Sequence, residues 1–245
     1  EKTACSNPKI QRGLFSATLP PKTEETGKSF LRNPIRIMVG AKNTATDTID
    51  QQLLFVGREE GKILALKQMV GGGELPLPCL VFVQSKDRAN ELGRQLMYDK
   101  LRVEVITADR PQPQRDRIVK NLRMGLVWVL VTTDLMARGM DFKGVNCVIN
   151  FDFPQTVAQY IHRIGRTGRA GHHGKAVTFF TEQDSENLRM IASVMKQSGC
   201  EVPEWMLSLK KQSQKRKRWL AVRPPERERL NDTGGPPRRK KRRKE

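Results

Sequence analysis

Cys79-Leu80-Val81-Phe82-Val83, followed by Gln84-Ser85 and then by the helix-forming stretch Lys86 to Tyr98, decides the fold class. Five consecutive apolar residues leave the strand no polar face, which suits a strand covered on both sides. Val127-Trp128-Val129-Leu130-Val131 has the same character. Working outward, further strands are expected at Asp50–Val56, Val103–Thr107, Cys147–Phe151 and Lys175–Phe180. Helices are expected at Gly61–Val70, Gln112–Arg123, from Thr156 onward and at Glu182–Ser198. That alternation argues an α/β fold, a doubly wound parallel sheet with helices on both faces. Ahead of it stand a short strand, Ile10–Phe15, a helix, Pro21–Asn33, and a strand, Ile35–Val39; the polar run GAKNTATDT, residues 40–48, reads as a linker. There is no internal repeat.

The chain has 245 residues, 37% of them hydrophobic, enough for one or two domains with a real core. Its formal charge of +19 is unevenly spread. From Leu209 onward there are 16 Lys/Arg against 4 Asp/Glu, a net of +12, which leaves +7 for residues 1–208. Such a balance favours a polyanionic partner, nucleic acid first. Cys5, Cys79, Cys147 and Cys200 show no ligand spacing and are expected to stay reduced inside the cell. No apolar run is long enough to cross a bilayer, and no signal-peptide pattern is present, so no membrane partner is expected.

In open α/β sheets ligands sit outside the carboxyl ends of the strands. Gln84 and Ser85 follow one such strand; Thr132, Thr133 and Asp134 follow another, leading into Ala137-Arg138-Gly139-Met140-Asp141. Hydroxyls and backbone N–H groups in these turns can hold phosphates, and Asp141 can accept from a sugar hydroxyl. Taken singly, each is equally well read as turn and cap chemistry.

His162-Arg163-Ile164-Gly165-Arg166-Thr167-Gly168-Arg169-Ala170-Gly171 concentrates the most chemistry. If the helix from Thr156 continues through it, His162, Arg166 and Arg169 fall within about 60° of one another, while Ile161, Ile164, Gly165 and Gly168 share another side. Two glycines on a packing side cost roughly 1 kcal/mol each and are explained by close backbone approach. The opposite face then presents two guanidinium groups and an imidazole to an anion.

Ser16-Ala17-Thr18, Leu80 to Ser85, Gln112 with Arg115, Thr133-Asp134 with Ala137 to Asp141, and His162 to Gly171 together resemble, in order and spacing, the C-terminal half of DEAD-box RNA helicases across about residues 10–200. Through GAKNTATDT, FKGVNCVINFDFP and GCEVPEW the chain is further similar to the nucleolar subgroup that matures small-subunit ribosomal RNA. The resemblance implies a RecA-like second domain at 49–201, a remnant of a first RecA-like domain at 1–40, a linker at 41–48 and a basic, mostly disordered tail at 202–245. It implies ATP and Mg2+ as cofactors, bound mainly by the first domain. Arg166 and Arg169 would be arginine fingers toward the γ-phosphate, and His162 would link this domain to Ser16–Thr18. Asp141 would hold the ribose, with Arg138 and Gly139 at the interdomain contact; Gln84, Ser85, Gln112, Arg115, Thr133 and Asp134 would serve RNA. The expected partners are RNA, chiefly pre-ribosomal RNA, and pre-ribosomal proteins, the protein being monomeric in the nucleus and nucleolus.

Departures from the family pattern matter here. The sequence contains neither a GxxxxGK[ST] phosphate loop nor an Asp-Glu-Ala-Asp segment, so it is expected to be a fragment that does not hydrolyse ATP alone. Thr107 stands where many members have histidine. KKQSQKRKR and RRKKRRK in the tail fit nuclear address signals and non-specific RNA anchors, or a merely solubilising tail. Trp205 and Trp219 fit local packing, and His172 and His173 fit ordinary loop positions with no metal. A non-catalytic RNA-binding scaffold is the alternative, and a DNA-directed helicase a third reading; a scaffold has no need of Arg166 and Arg169 together with Asp141.

Overall fold

The computed structural model describes residues 10–16, 21–38, 48–137, 140, 142–169, 171–228 and 230. Its contacts divide the chain into two units, Glu1–Thr44 and Ala45–Glu245.

In the first unit, α1 (Pro21–Phe30) begins with a proline, whose fixed φ suits a first helical turn, and carries a Glu24–Lys28 pair at 3.4 Å. The strands expected at Ile10–Phe15 and Ile35–Val39 do not form over residues 10–15 and 35–38. A strand needs a hydrogen-bonded neighbour, and none exists among the described residues of this unit. Phe15, Ile35 and Ile37 are accordingly exposed. Residues 39–47, which hold most of the expected linker, lie outside the described residues.

The second unit is built on six parallel strands: β1 (Ile49–Phe55), β2 (Cys79–Val83), β3 (Val103–Ile106), β4 (Val129–Thr133), β5 (Cys147–Asn150) and β6 (Gly174–Phe180), in spatial order β1-β6-β5-β2-β4-β3. All five residues of β2 are fully buried, as its unbroken apolar run requires. Alternate residues serve opposite faces. Val81 and Val83 pack with Leu66 and Met69 of α2 (Glu59–Gly71) and with Ala89, Leu92 and Leu96 of α3 (Lys86–Tyr98). Leu80 and Phe82 face Ile118 and Leu122 of α4 (Gln112–Arg123) and Met136 of the short α5 (Asp134–Ala137). Beside them Ala176 and Phe180 of β6 pack with α6 (Val157–Ile164) and α7 (Ser185–Gln197), the latter preceded by a 3-10 turn, Glu182–Asp184. Cys79 and Cys147, distant in sequence, are register partners on β2 and β5, and burial pushes both thiols up, Cys147 to about 12. They are inert core residues.

Three differences from the sequence reading follow from tertiary partners. β4 begins at Val129, two residues later than expected, in register with Cys79 and Val103, and it runs on through Thr132 and Thr133. α6 stops at Ile164 with Gly165 as its C-cap, so Arg166 and Arg169 lie beyond the helix rather than on its continued face. The tail is ordered over residues 202–228: α8 (Glu204–Ser208) and α9 (Gln214–Val222) form, and Met206, Leu220 and Leu230 are buried. Composition registers the charge of such a segment but not the buried partners that order it. Residues 231–245 lie outside the described residues.

Candidate functional site

Parallel strands bring their carboxyl ends to one edge. Val83 is paired with Thr133 and Thr132 with Ile106, so the turns after β2 and β4 are neighbours, each carrying polar side chains. Ser85 caps α3 by accepting from the Arg88 amide at 3.2 Å. The Gln84 amide N–H donates to Asp152 Oδ2, beyond β5, at 2.8 Å.

Arg163 ties this edge to α6. Its Nε and Nη2 donate to Asp134 Oδ1 and Oδ2, each at 2.7 Å, and Nη1 donates to the Asp152 carbonyl at 2.7 Å and to Asn150 Oδ1 at 3.3 Å. The guanidinium lies 5.3 Å from the centre of the Phe82 ring. A planar fork matched to a carboxylate is Arg chemistry that Lys cannot reproduce. Asp134, taken from sequence as an RNA residue, is thus held by Arg163, which sequence reading did not single out. A signal was present: Arg163 stands between Tyr160 and Ile164 on the apolar side of α6, and a cation buried there requires an acidic partner.

The turn after α6 is pinned by its small residues. Thr167, 2% exposed, donates to the Val145 carbonyl at 2.8 Å. Gly168 has φ of +64°, and a Cβ there would sit 2.5 Å from Ile49 Cγ1, so both conformation and space demand glycine. Arg166, partly buried, donates from Nε to the His162 carbonyl and from Nη1 to the Met140 carbonyl, each at 3.3 Å; Arg169, exposed, donates to the Gly165 carbonyl at 2.7 Å. His162, Arg163 and Arg166 line a small cleft with Phe82, Asp134 and Ala137. Guanidinium groups on a fixed turn at a cleft suit phosphoryl oxygens. Arg138, Gly139, Asp141 and Thr18 lie outside the described residues; Ser16 is exposed in the first unit.

The other expected RNA residues spread along the edge. Gln112, exposed at the start of α4, bonds Asp116 at 2.7 Å. Arg115 reaches α5, with Nη1 3.9 Å from Met136 Sδ, and its buried Nε has no partner among the described residues. Lys86 pairs with Asp109 at 3.1 Å, and Thr107 is buried. His172 and His173 are exposed, and no three His, Cys, Asp or Glu side chains among the described residues gather to hold a metal.

Beneath the edge lies an ionic network that the sequence reading missed entirely. Lys62, wholly buried, donates to Glu59 at 2.7 Å and Asp152 at 3.4 Å; Arg88 bonds both carboxylates at 2.7 Å; Arg227, from the tail, bonds Asp184 at 2.6 Å and Glu59 at 3.0 Å. Three cations balance three carboxylates. Burial alone would raise the Asp152 carboxyl, but Lys62, Arg88 and Arg227 overrule it and hold it well below the usual carboxylate range. Burial likewise disfavours the Arg227 charge, and Asp184, Asp152 and Glu59 more than restore it. Lys62 sits in an otherwise ordinary helix, so local pattern gave no hint of the pairing.

Residues 61–171 match the model of the helicase conserved C-terminal domain. The probable ATP-dependent RNA helicase ddx52 of Dictyostelium discoideum is 54% identical over 89% of this chain and 32% of its own length. Among solved structures, the C-terminal domain of the DEAD-box protein Dbp5 is 33% identical, with a TM-score of 0.55 over 62% of this chain and 87% of that one. Dbp5 of S. cerevisiae bound to RNA and ADP BeF3 superposes with a TM-score of 0.67 at 29% identity, over 84% of this chain and 54% of that one. The fold and its edge therefore define a helicase C-terminal domain. This chain belongs to the DEAD-box RNA helicase family. It spans about a third of the length of the ddx52 relative.

Proposed function

We propose that this chain is the second RecA-like domain, with its basic extension, of an ATP-dependent RNA helicase that couples RNA-stimulated ATP hydrolysis to local duplex opening. The observation that carries the reading is the pinned turn at Thr167 and Gly168, which holds Arg166 at the His162 cleft and is followed directly by the exposed Arg169. We assign residues 49–201 to that domain, 1–40 to the end of a first RecA-like domain and 41–48 to the linker between them.

ATP supplies the phosphoanhydride whose cleavage drives the cycle. On this chain Arg166 and Arg169 answer the charge of its terminal phosphate, Asp141 the ribose, and Arg138 and Gly139 the contact with the other domain. Mg2+ belongs to acidic residues of that first domain. Cations mounted on a second domain act only when the domains close, which makes hydrolysis conditional on RNA. Ser16 and Thr18 couple hydrolysis to unwinding. Gln84, Ser85, Gln112, Arg115 and Thr133 grip phosphate and sugar, giving little base preference, while Asp134 shapes that edge through Arg163. The subgroup segments and the basic extension support pre-ribosomal RNA as substrate, with pre-ribosomal proteins near it, and a monomer acting in the nucleolus.

The test is ATP turnover by the longer protein that carries this domain. RNA should stimulate it, and single-stranded RNA of unrelated sequences should do so alike. Turnover indifferent to RNA would remove the helicase reading.

A further inference from the structure

The tail returns to the domain along α3. Gln84 Nε2 donates to the Pro225 carbonyl at 2.9 Å, Arg88 Nη1 to the Glu228 carbonyl at 2.5 Å, and Gln95 Nε2 to the Leu230 carbonyl at 3.0 Å. Between these contacts the Arg227 side chain, 1% exposed, is sunk into the carboxylates of Asp184 and Glu59, and Leu230 is buried in the core beneath α3. Three side-chain donors thus read a row of acceptor oxygens on an extended chain.

A row of acceptor oxygens is also what an RNA backbone presents. Gln84 stands in one of the turns assigned above to RNA. In the docked arrangement its side-chain amide N–H faces the Pro225 carbonyl, while Gln84 Oε1 is buried with no partner among the described residues. A buried acceptor left unpaired is costly, so the contact at Gln84 is not held by Gln84 itself. It is held by the Arg227 latch. The strap also places Glu226 and Glu228, both exposed, on either side of Arg227, although they are two of only four acidic residues after Leu209. Carboxylates and carbonyl oxygens are poor company for phosphate.

We infer that residues 224–228, with Leu230, are a strap that occupies part of the RNA edge in cis, latched by Arg227 and seated by Leu230, so that strap and RNA compete for Gln84. The inference rests on the reading of Gln84 and Ser85 as RNA-facing. Releasing the strap raises the fraction of molecules open to RNA, and apparent affinity rises with that fraction.

The experiment uses the 245-residue chain, an oligouridine single strand, and hydrogen exchange read at the Leu230 amide, which donates to Glu91 at 3.4 Å. Saturating RNA should speed exchange at Leu230 while the β2 amides stay protected. Arg227→Ala should bind RNA about tenfold more tightly than the parent. Leu230→Ala leaves the ionic network intact and should shift affinity the same way, so it carries the test if Arg227→Ala loses β2 protection. Added protection at Leu230 with RNA, or weaker or unchanged binding by the folded variants, overturns the strap. Unchanged RNA affinity in both Arg115→Ala and Thr133→Val would instead remove the RNA reading of the edge.

Discussion

Arg163 grips Asp134 through two parallel hydrogen bonds of 2.7 Å, and with the same guanidinium it holds the main chain at Asp152. One side chain therefore joins α6 to the ends of β4 and β5. The turn that carries Arg166 and Arg169 follows directly from that junction and is fixed in its own right by Thr167 and Gly168.

Replacing Arg163 with alanine should destabilise the domain by about 3 kcal/mol, the low end for breaking a buried ion pair because Asp134 is 22% exposed. Arg163→Lys keeps the charge but not the fork and should recover less than half of that loss. Urea unfolding of the two variants measures both; equal stability of Arg163→Lys and the parent would deny the fork its role.

Asp152 makes stability sensitive to acid in a definite direction. Its carboxyl is held below its ordinary value in the folded state, so its contribution is fully present above about pH 4 and is lost as the pH falls through the lower folded value. Asp152→Asn should be less stable near neutrality by about 3–5 kcal/mol, since it leaves Lys62, Arg88 and Arg227 with only Glu59 and Asp184 to balance three buried charges. Its stability should also fall less steeply than the parent's below about pH 4. Denaturant titrations at several pH values check both, and parallel profiles would contradict the assignment.

The local grammar of the chain was read from sequence with little loss because its signals are local. The five-residue run of β2 and the apolar spacing of α3 need no distant partner to be recognised, and both elements form with the expected bounds. What escaped depends on contacts far apart in sequence. β4 starts at the register it shares with β2 and β3, and α6 gives way to a turn in which Gly168 packs against Ile49. At the site, the arginines themselves were legible. Asp134 as the seat of Arg163, and Arg227 as a member of a buried network, were not, since their partners lie 29 and 168 residues away.

Close packing of α3 on β3 offers a separate check. A Cβ on Gly93 would lie 2.1 Å from Val105 Cγ2. Gly93→Ala should cost about 1–3 kcal/mol despite the better helix propensity of alanine. Adding Val105→Ala should return part of that stability in thermal unfolding, and strictly additive losses would show that the two residues do not meet.

The central claim is that the arginines after α6 act on a phosphate brought by another domain. In the longer helicase that carries this domain, Arg169→Ala should lower RNA-stimulated ATP turnover by about 10³-fold or more, with single-stranded RNA affinity within about threefold of the parent. Turnover like that of the parent in folded Arg169→Ala protein would contradict the claim.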